Sequence, residues 1–190
     1  MQICLYDQIF RVISDVLEEE KTTGFVIGGY VRDLLLGREI KNADIDIVVK
    51  GSGENIAKKV AGRLGRKIKV TVYRNFGTAM FSYGDYNIEF TGARKESYNR
   101  NSRKPVVENG TIEEDQLRRD FTINALAVSL NKETWETLID PFGGLEDLKK
   151  RILRTPSDPD KTFDDDPLRM MRAVRFATQL GFSIDEITFS

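Results

Sequence analysis

Between Phe25 and Val49 the sequence changes its hydrophobic period twice. Phe25-Val-Ile is a short apolar strand running into Gly28-Gly29, and Tyr30 to Leu36 then carries a helical pattern that stops at Gly37. Asp44 to Val49 alternates, with Ile45, Ile47 and Val49 on one face and Asp44, Asp46 and Val48 on the other. Strand, helix and two-faced strand in so short a stretch point to a sheet with helices packed on it.

The flanking segments extend that pattern. Tyr6–Glu20 reads as an amphipathic helix on Ile9, Val12, Ile13, Val16 and Leu17, and Glu54–Leu64 as a basic one. Strands are expected at Lys67–Tyr73, Thr78–Tyr83 and Tyr86–Thr91, the last two joined at Gly84-Asp85 as a hairpin. Arg94–Gly110 is polar, basic and proline-containing, which predicts a mobile loop. Helix returns near Ile112–Arg119 and Thr122–Ala127, and Asp140-Pro-Phe-Gly-Gly precedes a further helix at Leu145–Lys150. After the break at Thr155-Pro-Ser-Asp-Pro-Asp, one amphipathic helix is expected from about Phe163 to Leu180. The fold class is α+β: a small mixed sheet flanked by helices, then a helical segment. The chain stops at Ser190 just past a helix and a Gly-Phe turn, which predicts a piece of a longer protein.

Composition narrows the chemistry. The 190 residues include no histidine and one cysteine, Cys4. Ser-His-Asp and Cys-His machinery, His-ligated zinc and a CxxC redox pair are therefore excluded. No disulfide can form within the chain, so a reducing cytoplasm is the default compartment. Any metal must be held by oxygen, which favours Mg²⁺ or Mn²⁺. The net charge of -1 gives no bulk argument for nucleic-acid binding. The run from Lys58 and Lys59 through Arg63, Arg66, Lys67 and Lys69 to Arg74 is nonetheless free of acidic residues; alone it reads as a solvated face. No apolar run reaches membrane-spanning length, and no membrane partner is expected.

Four constellations carry the remaining chemistry. Gly28-Gly29 at a helix start bares backbone amides that can cradle phosphate, and Arg32, one turn in, is placed to reach the same phosphates. The ordinary alternative is a tight turn. Asp44 and Asp46, two apart on a strand, point to one face and are close enough to share divalent cations, with Glu89 on a neighbouring strand as a third oxygen donor. An exposed polar strand face is the bland reading; joined to a phosphate cradle, the acids suggest two-metal phosphoryl or nucleotidyl transfer. Arg118-Arg119-Asp120 precedes the helix holding Asn124: Asp120 is placed to N-cap it, or the group contacts nucleotide, with Arg119 on triphosphate or ribose and Asn124 on a sugar hydroxyl. In Asp164-Asp165-Asp166-Pro-Leu-Arg169, acids and Pro167 are ordinary helix-start signals. Arg169, Arg172 and Arg175 then form a stripe beside Leu168, Met171 and Val174, suited to an anionic ligand.

Taken in order, GGYVRDLLLGR, DID, IEFTGAR, RRDFTINALA, DPFGG and DDDPLRMMRAVRFATQLGF resemble the bacterial class II tRNA nucleotidyltransferase/poly(A) polymerase family of the polymerase-β superfamily. The resemblance runs from about Phe25 to Phe182. It implies a polymerase-β-like head over residues 1–140 and the start of a helical neck over 141–190, with neck, body and tail regions that grip tRNA lying beyond. It implies that Asp44, Asp46 and Glu89 bind two Mg²⁺ ions, and that Gly28, Gly29 and Arg32 hold the triphosphate with help from Arg119, beside Asp120 and Asn124. The family's Glu-Asp-x-x-Arg selector falls on Asp165-Asp166-Pro-Leu-Arg169, with Asp in place of the first Glu. Asp166 and Arg169 would read the base of CTP or ATP, and Arg172 and Arg175 would line that pocket. The implied activity is template-independent addition of C and A to tRNA 3′ ends. A-adding enzymes and poly(A) polymerases share these motifs, and a catalytically silent nucleotide- or RNA-binding module is the rival from another class.

Overall fold

The computed structural model describes residues 3–38, 43–73, 77–97 and 106–189. Arg74 of the basic run and residues 98–105 of the expected loop lie outside the described residues. The chain divides into two compact units: Met1–Ala93 with Ala127–Ile139, and Arg94–Leu126 with Asp140–Ser190.

The first unit is built on helices α1 (Gln8–Glu19), α2 (Gly29–Leu35) and α3 (Gly53–Leu64) and strands β1 (Gly24–Ile27), β2 (Asp44–Val49), β3 (Thr71–Tyr73), β4 (Thr78–Tyr83) and β5 (Tyr86–Gly92). The sheet runs β3-β4-β5-β2-β1 and continues into two strands contributed from Ala127–Ile139. Only β2 and β5 pair in parallel among these described strands. The β2 alternation is realised as expected: Ile45, Ile47 and Val49 are sealed, at 0%, 1% and 0% exposure, with Ile88, Phe90 and Phe81 beside them on the same face. The apolar stripe of α1 packs there, and a Cβ on Gly24 would lie 2.6 Å from Leu17. Each buried side chain of this size contributes roughly 1.5–3 kcal/mol. The opposite face carries Asp44, Asp46, Asn87 and Glu89. The basic face of α3 is tied to acids: Lys58 to Glu54, Lys59 to Glu20 and Arg63 to Glu19.

The second unit holds β6 (Arg94–Ser97) and β7 (Val106–Asn109), α4 (Ile112–Leu117), α5 (Thr122–Ala125) and, after the chain returns from the sheet, α6 (Gly144–Lys150), α7 (Pro159–Asp165) and α8 (Leu168–Leu180). Its core centres on Phe121, edge-on to Phe176 with ring centroids 6.0 Å apart. Gly144 presses so closely on α5 that a Cβ would fall 2.3 Å from the Thr122 carbonyl oxygen, so a glycine is required there.

Five expectations are corrected. The ends of the Arg94–Gly110 loop pair as an antiparallel ladder, β6 with β7. The strand expected from Lys67 begins only at Thr71. The helix expected over Thr122–Ala127 stops at Ala125, and Ala127–Ser129 is instead a fully buried strand, β8, paired with β1; β9 (Leu138–Ile139) pairs with it in turn. So short an apolar run has no periodicity of its own, and the open edge of β1 decides it. The helix expected from Phe163 to Leu180 is two helices, because a proline disfavours helical backbone in the residue before it; Asp166 is extended at φ -151°, ψ 96°. Finally, Leu168, Met171 and Val174 face outward at 69%, 67% and 57% exposure, and α8 buries Ala173 and Phe176 instead.

Candidate active site

In the first unit the β-ladder sets the geometry. Ile27, the last residue of β1, is the register partner of Asp46, and Asp46 is the register partner of Glu89. The two carboxylates therefore stand side by side on one face, at the point where the chain leaves β1 through Gly28-Gly29. Gly28 sits at φ 85°, ψ -140°, a conformation that side chains disfavour strongly, and it caps α2. The chain can turn from strand to helix in one residue only because position 28 is glycine. A Cβ on Gly29 would lie 3.7 Å from the Arg32 guanidinium, so the turn and that side chain share one small space. Arg32 is buried and held side-on by Asp33, its Nε and Nη2 donating to the two carboxylate oxygens at 3.0 and 2.8 Å.

Asp44 lies on the same face, and its Oδ1 accepts from Asn87 Nδ2 at 3.2 Å. Among the described residues no three acidic, histidine or cysteine side chains are already gathered into a metal-sized group. Asp46 and Glu89 are adjacent by register, and Asp44 lies two residues before Asp46 on the same face of β2, beside Asn87. The donor set is carboxylate oxygen throughout, which fits a hard divalent cation.

In the second unit the other expected nucleotide-site residues fall into separate groups: Asp120 binds Asn124 and Arg172, Arg169 binds the carbonyl of Arg118 beside Arg119, Asp166 lies at ion-pair distance from Arg169, and Arg175 shares a ring contact with Arg172. Asp120 does not act as a simple cap, because Phe121 is the N-cap residue of α5. Its Oδ1 accepts from the Phe121 amide at 2.9 Å and from Asn124 Nδ2 at 3.1 Å, while Oδ2 accepts from Arg172 Nε at 2.7 Å. Arg169 Nη2 donates to the Arg118 carbonyl at 2.7 Å and Nη1 to the Thr162 carbonyl at 3.4 Å; its Nε lies 3.9 Å from Asp166. One guanidinium thus joins the end of α4, α7 and the start of α8. Arg172 and Arg175 both lie over the Phe176 ring, at 5.2 and 4.6 Å from its centroid.

Two buried acids escaped the sequence reading. Asp115, at 0% exposure, accepts from Arg118 and Arg119 together. Asp147 accepts from Thr122 Oγ1 at 2.6 Å and from Arg154 Nε at 3.0 Å and Nη2 at 2.9 Å. The first carried a readable signal, since arginines three and four residues after an acid share its helix face. The second did not, because its partners come from other segments.

The profile of the poly A polymerase head domain matches residues 24–154, which contain the Gly-Gly turn, the paired carboxylates and the Arg119-Asp120 group. The chain belongs to the poly A polymerase head domain family. It is 44% identical over 164 residues to the A-adding tRNA nucleotidyltransferase of Aquifex aeolicus, covering 86% of this chain and 19% of that protein. It is 39% identical over 180 residues to the CCA-adding enzyme of Lactobacillus helveticus, covering 93% and 42%. A crystal structure of a tRNA nucleotidyltransferase complexed with a primer tRNA and an incoming ATP analog superposes with a TM-score of 0.79 at 40% identity, over 93% of this chain and 47% of that one. This head-domain chain therefore spans less than half the length of these relatives. Nucleotidyltransferases of this kind generally use divalent metals. No helix among the described residues is long and apolar enough to cross a membrane.

Proposed function

We propose that this chain is the catalytic head of a cytoplasmic tRNA nucleotidyltransferase that adds C and A from CTP and ATP to tRNA 3′ ends without a template. The observation that carries the reading is the row Ile27–Asp46–Glu89, which sets two carboxylates beside the Gly28-Gly29 turn. A binding module has no need of like charges held together there.

Asp44, Asp46 and Glu89 would hold two Mg²⁺ ions, which when bound supply activation of the RNA 3′-hydroxyl and neutralise charge on the departing pyrophosphate. The chain's own residues do the rest. Amides of the Gly28-Gly29 turn and the Arg32 guanidinium orient the triphosphate for in-line attack on its α-phosphate. In the other unit, Asp166 accepts from the exocyclic amine of C or A, and Arg169 exchanges its carbonyl acceptors for the adjacent ring nitrogen. G and U present the opposite pattern and would leave buried groups unpaired. Asp120 keeps Asn124 and Arg172 in place around that edge, and Arg175 flanks the Phe176 ring beside them. In this reading residues 1–140 are the family's head and 141–190 the start of its neck.

Addition of A alone is a second reading, favoured by the higher identity to the A-adding enzyme. Offering the protein tRNAs that end before the terminal CCA, CA or A, with each NTP separately, distinguishes them. Incorporation of CTP and then ATP supports CCA addition. Incorporation of ATP only onto tRNA already ending in CC supports A addition, and equal extension of unrelated RNA overturns both.

A further inference from the structure

The face of the sheet that carries the acids is laid out as two neighbouring cross-strand rows. Met80, Glu89, Asp46 and Ile27 form one by register, and Ser82, Asn87 and Asp44 form the other. Four positions at the centre, two on β2 and two on β5, therefore make a block of three carboxylates and one amide. Asparagine is among the residues that strands disfavour, so its place in β5 asks for a reason beyond the ladder. Ser82, Asn87 and Asp44 are all exposed, so bonds among them add little to folding.

Chemistry fixes the direction of the second row. An ionised carboxylate can only accept, so Asn87 must present Nδ2 to Asp44, and its bond to Oδ1 is 3.2 Å. Asn87 Oδ1 then faces Ser82 and can only accept, so the Ser82 hydroxyl donates to it, at 2.9 Å. The Asn87 backbone is pinned as well, its amide donating to the Ala43 carbonyl at 3.1 Å. Ser82 thus sets the plane of the side-chain amide, and the amide holds one oxygen of Asp44. That leaves Oδ2 as the Asp44 oxygen for a cation.

We infer that Asn87 is a positioning residue, oriented by Ser82, that holds Asp44 in the posture from which its carboxylate binds a divalent cation. This rests on the nucleotidyltransferase reading and deepens it. Asn87 carries no charge, so it steadies Asp44 without neutralising it as a lysine or arginine would. It touches neither substrate nor cation; its effect passes through Asp44.

The test measures Mn²⁺ binding to the free protein by calorimetry, beside the Mg²⁺ concentration that gives half-maximal transfer from ATP to tRNA. Asn87→Ala should weaken Mn²⁺ about tenfold and raise the Mg²⁺ requirement by a similar factor, with unfolding temperature and KM for tRNA unchanged. Saturating Mg²⁺ should then restore most of kcat, a rescue that a merely structural lesion would not show. Ser82→Ala should act in the same direction but less, and add little once Asn87 is already alanine. An Asn87→Ala variant that binds Mn²⁺ as wild type does, while Asp46→Asn binds it weakly, overturns this inference alone. Mn²⁺ affinity that Asp46→Asn also leaves unmoved overturns the two-metal reading with it. A wild-type protein whose Mn²⁺ binding depends on Asn87 but which extends no RNA would sink the enzymatic reading and leave the role of Asn87 standing.

Discussion

Asp115, Asp120 and Asp147 are 0%, 6% and 3% exposed, and each is matched to at least one arginine. A carboxylate so enclosed is tolerated only when paired and hydrogen-bonded. Removing Asp147 would strand Arg154 and the Thr122 hydroxyl, so Asp147→Ala should lower stability by about 2–4 kcal/mol. Chemical denaturation checks this, and a loss below about half a kcal/mol would show the pair to be incidental. Arg169→Ala should instead relax the preference for C and A over U and G, measured as the ratio of incorporation from each NTP. Intact selectivity would mean that another side chain chooses the base. The residue types of both sites were legible, because carboxylates two apart on a strand and arginines three apart on a helix announce themselves by spacing. What each side chain holds was not, since Arg172 meets Asp120 across 52 positions and Arg169 meets the Arg118 carbonyl across 51.

At the scale of elements, strong periodicity and unambiguous turn residues marked α1, α3, β2, β4 and β5 to within a residue or two at each end. The failures came where local signal is weak or two signals compete. Pro167 was legible as a helix-start residue, but the acids before it were assigned to its helix; they close α7 instead. β8 is three residues long, and its identity comes from β1 rather than from its own sequence. The turn between β1 and α2 gives a direct prediction: Gly28→Ala should destabilise by about 1–3 kcal/mol from backbone strain alone. A melting curve unchanged from wild type would contradict the positive φ at that position.

A second element-scale prediction concerns pH. Tyr86 donates its hydroxyl to Asp7 at 2.8 Å. Burial first, and then this bond to Asp7, pushes its phenol up to about 12 from 10.0. Burial also raises the neighbouring Tyr30 phenol, with a further contribution from Asp7. The folded state therefore binds these protons more tightly than the unfolded chain does. Their contribution to stability is intact below pH 10 and is lost as pH climbs toward 12. Equilibrium unfolding across that range, beside a Tyr86→Phe variant, checks it; the variant should lose stability less steeply, and identical slopes would contradict the assignment.

Across the whole molecule, the two sets of residues that the family motifs bring to mind as one site fall in different compact units. The first unit carries the carboxylates and the Gly-Gly turn, and the second carries Arg119, Asp166, Arg169, Arg172 and Arg175. That division is invisible in the sequence, because the chain leaves the first unit at Ala93, returns to it at Ala127 and leaves again after Ile139. None of the three metal-binding candidates belongs to the buried core. Chelating divalent ions should accordingly stop incorporation without unfolding the protein, as circular dichroism would show. The most direct measurement is single-turnover transfer from ATP to tRNA ending in CC, wild type against Asp46→Asn. The account predicts a fall on the order of a thousandfold with the fold and ATP binding retained. Undiminished transfer by the variant would contradict it.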